Sequence, residues 1–149
     1  GTALPGTSFE DTICELGIEK DVVAVPHAPH AEIALAYNAS AITLYPSSYE
    51  GFGMPVLEAM ACGTPVITLD NTAFPEFAGG VACLLPDAEV ATLSRGIVDL
   101  LADEPRRRRM RTEGPRRAAA YDWSVVAGRY LELLAGLADA RRSALALRG

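Results

Sequence analysis

From Asp21 through Ser94 the chain contains no Lys and no Arg. Such a segment has no permanent cation with which to meet a polyanion. The whole chain agrees, with Lys+Arg 13 against Asp+Glu 19 and a formal net charge of −6. This balance argues against nucleic acid or anionic lipid as the main partner. Cysteine is scarce as well. Cys14, Cys62 and Cys83 are odd in number and match no paired or metal-ligand spacing, so they read as buried small hydrophobes in a reducing compartment, and a cytoplasmic setting is expected. No apolar run approaches the length of a bilayer span, and the first residues do not resemble a charged-then-apolar signal peptide. Peripheral contact at a membrane stays open. Internal repeats, low-complexity tracts and linkers are also missing.

What is present is apolar material. Half of the 149 residues are hydrophobic and 21% are charged, enough for one core and too short for two ordinary domains, so residues 1–149 are expected to form a single domain. The first residue is Gly1 rather than Met, which leads to the expectation of a piece cut from a longer chain.

Four short runs rich in β-branched residues, Val22–Val25, Ile42–Tyr45, Pro65–Leu69 and Ala82–Leu85, read as buried strands. Helical patterns lie between them: Phe9–Leu16 behind a possible N-cap at Ser8, Ala31–Asn38, Pro55–Cys62, and a short turn at Phe74–Ala78. Strands separated by helices run parallel and are covered on both faces, so the predicted class is α/β, a Rossmann-like parallel sheet with flanking helices. Beyond the last strand the pattern is wholly helical. Val90, Leu93, Ile97, Leu100 and Leu101 form one stripe with Asp87 as candidate cap, and Pro105 opens another helix. A last helix from Trp123, capped by Asp122, carries Val126, Tyr130, Leu133, Leu134 and Leu137 on one face and frays over Arg141–Gly149. Trp123 and Tyr130 are expected to anchor it in the core.

The chemistry concentrates in Tyr45-Pro46-Ser47-Ser48-Tyr49-Glu50-Gly51-Phe52-Gly53-Met54-Pro55-Val56-Leu57-Glu58, which leaves a strand and opens a helix. Pro55 suits the first helical position, and Gly63 followed by Pro65 supplies the stop. Gly51 and Gly53 feed a helix N-terminus whose free N–H groups and positive dipole end form a seat for an anion. In a parallel sheet that turn lies beyond the carboxyl ends of the strands, where ligands bind. Glu50 in the loop and Glu58, read as first-turn, flank the seat, and each can accept hydrogen bonds from vicinal hydroxyls. One carboxylate for a sugar, one for a ribose and amides between them for phosphate make a coherent nucleotide-sugar site. The plainer account is a loop carboxylate and a helix-start carboxylate favoured by the dipole.

The run EGFGMPVLEAMACGTPV resembles the signature of retaining GT-B glycosyltransferases, particularly the large family 4 group that includes sucrose, trehalose, mannosyl and inositol glycosyltransferases. The resemblance extends over Asp21–Tyr37, over Asn71–Phe77 with its Pro-Glu, and over Tyr121-Asp122-Trp123. It implies the C-terminal half of a GT-B fold, with its first strands missing, as the donor-binding portion of a hexosyltransferase inactive without the rest of the enzyme. By position it implies Glu50 as the catalytic-site carboxylate on the donor hexose, with Gly51, Phe52 and Gly53 lining sugar and phosphates. Met54, Pro55 and Val56 would offer helix N–H groups to phosphate, Glu58 would hold the ribose, and His27 with Ala28 would meet the nucleobase. Pro26, Pro29 and His30 depart from the family's usual residues, so base selectivity does not transfer.

No cofactor and no metal are expected, and no Asp-x-Asp pair stands in the chain. A nucleoside diphosphate carries about two negative charges and a helix terminus offsets roughly half of one. The missing cation is expected from outside, because the family places an Arg and a Lys ahead of the matching region. The N-terminal acceptor domain is likewise expected to be missing, and the acceptor is not specified. The absent central strands predict direct pairing of the flanking strands, self-association through exposed sheet edges, or dependence on the missing portion. The alternative class is a non-catalytic nucleotide-sugar-binding or degenerate interaction fragment. Arg106–Arg109 with Arg111, Arg116 and Arg117 reads as a solvated face.

Overall fold

A computed structural model describes the backbone of residues 8–146 and the side chains of residues 8–142. The elements run in the order α1 (Phe9–Leu16), α2 (His30–Ala39), β1 (Thr43–Tyr45), α3 (Met54–Ala61), β2 (Val66–Leu69), α4 (Phe74–Ala78), β3 (Cys83–Leu85), α5 (Val90–Ala102), α6 (Glu104–Ala119) and α7 (Trp123–Ala146). β1 pairs β2 and β2 pairs β3, both parallel, in a three-stranded sheet of order β1-β2-β3. The expected α/β class with a parallel sheet and flanking helices is what forms.

β2 is the centre of the molecule. All four of its residues are buried, and alternate side chains serve opposite faces. Val66 joins Val56, Leu57 and Met60 of α3 and Phe74 and Phe77 of α4 on one side. Ile67 joins Cys83, Leu100 of α5 and Met110 of α6 on the other. This two-sided burial explains why the strand reads as a continuous apolar run.

Local signals set the helix ends. Ser8 caps α1 in a reciprocal box, its Oγ accepting from the Asp11 N–H at 3.1 Å while Asp11 accepts from the Ser8 N–H at 3.1 Å. α3 ends where Gly63 turns left-handed at φ 73, which lets Thr64 N–H reach Ala59 O at 2.9 Å and Gly63 N–H reach Met60 O at 3.0 Å. Asp122 caps α7 through the Ser124 N–H at 2.8 Å. Asp103 does the same for α6 through Arg106 N–H at 2.9 Å.

Several expectations are corrected. Val22–Val25 is not a strand: it pairs with nothing among the described residues, and Val23 is 86% exposed. Strand formation needs a neighbour to take up the backbone N–H and C=O groups, and β1 does not pair with it. α3 begins one residue earlier than read, so Pro55 is its second residue. Asp87 does not cap α5. Glu89 occupies that position without a side-chain bond, and Asp87 accepts from the Glu89 N–H at 3.0 Å instead. Cys14 is exposed and Cys62 half-buried, because α1 buries no side chain and Cys62 sits at the end of α3; Cys83 alone is buried as expected.

α7 departs furthest. Its helix continues through Arg141–Ala146, and residues 147–149 lie outside the described residues. Trp123 is 82% exposed, and Tyr130, Leu133, Leu134 and Leu137 are exposed too, so they are not core anchors. Periodicity marks an apolar face but not whether anything covers it. The Arg run is also more structural than a solvated face. Arg107 donates to Leu100 O at 2.8 Å and to Leu101 O, satisfying the last carbonyls of α5, and Glu104 pairs with both Arg107 and Arg111.

Candidate functional site

The loop from Pro46 to Gly53 joins the carboxyl end of β1 to α3. Its turn into the helix is made by Gly53, the N-cap, at φ 93. A side chain there would be strained by the left-handed backbone, and a Cβ would stand 2.3 Å from Phe74 Cε1. The amides of Gly51, Phe52, Gly53 and Met54 have no hydrogen-bond acceptor among the described residues. Four successive free N–H groups at a helix start are what an anion needs.

The geometry corrects one part of the predicted seat. Pro55 carries no N–H, and the Val56 N–H turns back to Gly53 O at 3.1 Å. Among the described residues the amides without a protein acceptor are therefore those of Gly51–Met54, and of the expected Met54–Val56 only Met54 is one of them. Phe52 contributes its N–H to this run, while its side chain belongs to an aromatic cluster. Its ring stacks on Phe77 at 4.8 Å and 11° and meets Tyr121 at 5.7 Å.

Glu50 is half-buried and held by the Tyr45 hydroxyl, which donates to its Oε1 at 2.6 Å. That bond, with a smaller contribution from the nearby Ser47 hydroxyl, keeps the Glu50 carboxyl below the ordinary glutamate range, while the same bond raises the Tyr45 phenol. Glu58 lies deeper in α3 than read, as its fifth residue, in the second turn. It borders a hollow of about 310 Å³ with Leu57, Pro115, Ala119 and Asp122. Burial, then the neighbouring Glu58 charge, raises the Tyr37 phenol of α2. The two carboxylates thus have different surroundings: Glu50 is held by Tyr45 of β1, and Glu58 lies beside residues of α6.

A second hollow of about 310 Å³, almost wholly apolar, opens beside the start of α3 between Phe52, Met54, Leu57, Tyr121, Trp123 and Val126. His27 is exposed and Ala28 half-buried, on the unpaired segment that leads into α2; His30 is the first residue of that helix, which starts one residue before the expected Ala31. α2 in turn packs on α3. No group of three or more His, Cys, Asp or Glu side chains gathers at metal-binding distance among the described residues. No helix among them is long and apolar enough to cross a membrane.

Residues to which the sequence assigned no site role complete the edge. Asn71, just after β2, donates through Nδ2 to Ser48 O at 3.2 Å and Ser47 O at 3.4 Å, tying the two strand-end loops together. Thr72 beside it stands at φ 46, a strained conformation for a β-branched residue. The two buried polar residues among the described ones, Thr64 and Thr68, donate to Tyr37 O at 2.7 Å and Tyr45 O at 2.8 Å. Both tyrosines stand next to the candidate carboxylates, and only the short Tyr45-to-Glu50 spacing gave any sign of this.

Comparison with known proteins bears on this arrangement. The family profile described as "Glycosyl transferases group 1" matches residues 7–117. The D-inositol 3-phosphate glycosyltransferase of Kineococcus radiotolerans is 34% identical over 143 residues, covering 89% of this chain and 33% of that protein. The MMP alpha-(1->4)-mannosyltransferase of Mycolicibacterium hassiacum is 36% identical over 128 residues, covering 83% and 31%. Among solved structures, sucrose-phosphate synthase from Thermosynechococcus elongatus superposes with a TM-score of 0.76 at 29% identity, over 94% of this chain and 38% of that one. The chain spans about a third of the length of these curated relatives.

Proposed function

The chain belongs to the glycosyl transferases group 1 family, and from that premise we propose that it is the donor-binding portion of a retaining, family 4-like hexosyltransferase. The observation that carries the reading is the run of unpartnered amides at Gly51–Met54, beside a carboxylate fixed by Tyr45, at the carboxyl edge of a parallel sheet. Glu50 accepts from hydroxyls of the hexose, the amides take the diphosphate, Glu58 takes the ribose, and His27–Ala28 meet the base. As the glycosidic bond loosens, negative charge grows on the leaving diphosphate. Fixed N–H groups then bind the transition state more tightly than the ground state. In this reading the reaction needs no metal ion or cofactor, and three unpaired cysteines suit a cytoplasmic setting. The acceptor, and the cation absent from Asp21–Ser94, come from outside the described fold.

The test is calorimetric titration of the chain with UDP, GDP and ADP and with their hexose conjugates. One nucleotide series binds, Glu58→Ala weakens free and sugar-bearing nucleotides alike, and Glu50→Gln weakens only the sugar-bearing form. A wild-type chain that binds none of these, or variants indistinguishable from it, sinks the reading.

A further inference from the structure

We infer that Tyr45 is a positioning residue: held at its ring, its carbonyl and its strand register, it sets the orientation of the Glu50 carboxylate before any sugar arrives. The inference rests on the proposed donor site and adds to it a residue that does not itself touch ligand.

Glu50 sits on a loop whose amides from Gly51 onward make no hydrogen bonds among the described residues. Nothing in that backbone fixes where its side chain points, and a free glutamate samples several rotamers that binding would have to freeze out. Tyr45, in contrast, is fixed at three points. It pairs in register with Thr68, which is wholly buried. The Thr68 Oγ1 donates to the Tyr45 carbonyl at 2.8 Å. Its ring meets Phe74, itself 0% exposed, edge-on at 6.2 Å and 86°. From this fixed base the hydroxyl donates at 2.6 Å to Glu50 Oε1, a charge-assisted bond of the strong kind. One carboxylate oxygen is thereby occupied, and the second keeps its acceptor capacity for a ligand hydroxyl. The bond also favours the ionised carboxylate, the form that accepts, in line with the lowered Glu50 titration. A site held in place by a supporting layer needs less reorganisation when ligand binds.

Tyr45→Phe isolates the hydroxyl, because the ring can stay against Phe74. Two readouts on the full 149-residue chain separate this inference from the donor reading. The first needs no ligand: a carbon-13 carboxyl titration of Glu50, whose pKa rises towards the ordinary glutamate value in Tyr45→Phe. The second is calorimetry with the nucleoside diphosphate and with its hexose conjugate. Tyr45→Phe weakens the conjugate about tenfold, the worth of one hydrogen bond to a charged group, and leaves the bare diphosphate unchanged. In a Glu50→Gln background the same substitution has a much smaller effect, the coupling expected of a residue acting through another. An unmoved Glu50 titration, or losses that simply add, overturns the inference. If Tyr45→Phe disturbs folding, the wild-type carboxyl signal decides alone, since a Glu50 that titrates normally leaves no bond for Tyr45 to make. A shifted Glu50 in a chain that binds no nucleotide sugar supports the positioning and removes the donor reading instead.

Discussion

Gly53 and Phe74 share a space that admits no side chain: a Cβ on Gly53 would lie 2.3 Å from Phe74 Cε1. Phe74 is wholly buried and its ring packs perpendicular to that of Tyr45, so it has little room to yield. The left-handed φ of 93 adds roughly 1–2 kcal/mol for any L side chain, and the overlap roughly 1–3 kcal/mol more. Gly53→Ala is therefore expected to lower urea-unfolding stability by about 3 kcal/mol. Gly51→Ala meets nothing within 4 Å and is expected to fall within about 0.5 kcal/mol of wild type. Equal effects of the two substitutions would show that the turn does not depend on Gly53.

Thr68 is completely buried, and its hydroxyl has the Tyr45 carbonyl as acceptor. Thr68→Val keeps the shape and removes the donor, a change expected to cost about 1–2 kcal/mol because a part-buried carbonyl loses a partner. Urea unfolding checks this. A stability unchanged by Thr68→Val would mean that the strand ladder alone satisfies that carbonyl.

The Glu50 carboxyl, held below its ordinary range first by Tyr45 and then by Ser47, gives a direction to pH dependence. A depressed folded pKa contributes stability that is fully present above the unfolded glutamate value, about 4.3, and is lost as pH falls through the folded value. The stability difference between wild type and Tyr45→Phe is thus expected to be full at neutral pH and to narrow in acid below that value. Denaturant curves at a series of pH values read the difference directly, and a gap that widens in acid would contradict the assignment.

What could be read in the sequence was whatever depends on nearby residues. The Ser8 cap and the bounds of α1 depend on residues within a few positions of one another and were legible, though the reciprocal bond to Asp11 was not read. The strand-loop-helix setting of Glu50 and the glycine stop at Gly63 were legible for the same reason. Val22–Val25 was misread because a strand is a property of two segments, and its composition says nothing about whether a partner stands alongside. The exclusion of a side chain at Gly53 depends on Phe74, and the hold on Glu50 depends on a tyrosine ring fixed by that same residue. Neither contact has a periodicity, so neither could be counted along the chain.

Two leucine stripes of the same kind met different fates, and they provide the last prediction. On α5, Leu100 is 0% exposed and packs with Ile67, Cys83 and Met110. On α7, Leu134 is 58% exposed and joins neither core cluster. Leu100→Ala deletes a filled position and leaves a cavity, which costs about 2–5 kcal/mol. Leu134→Ala removes a side chain already in water, and its expected effect is within about 0.5 kcal/mol. The comparison turns an assignment of exposure into a free-energy measurement, made by denaturant unfolding of both variants at the same protein concentration. Comparable losses at both positions would mean that the α7 face is covered in solution; dependence of the Leu134 loss on protein concentration would identify the cover as another copy of the chain.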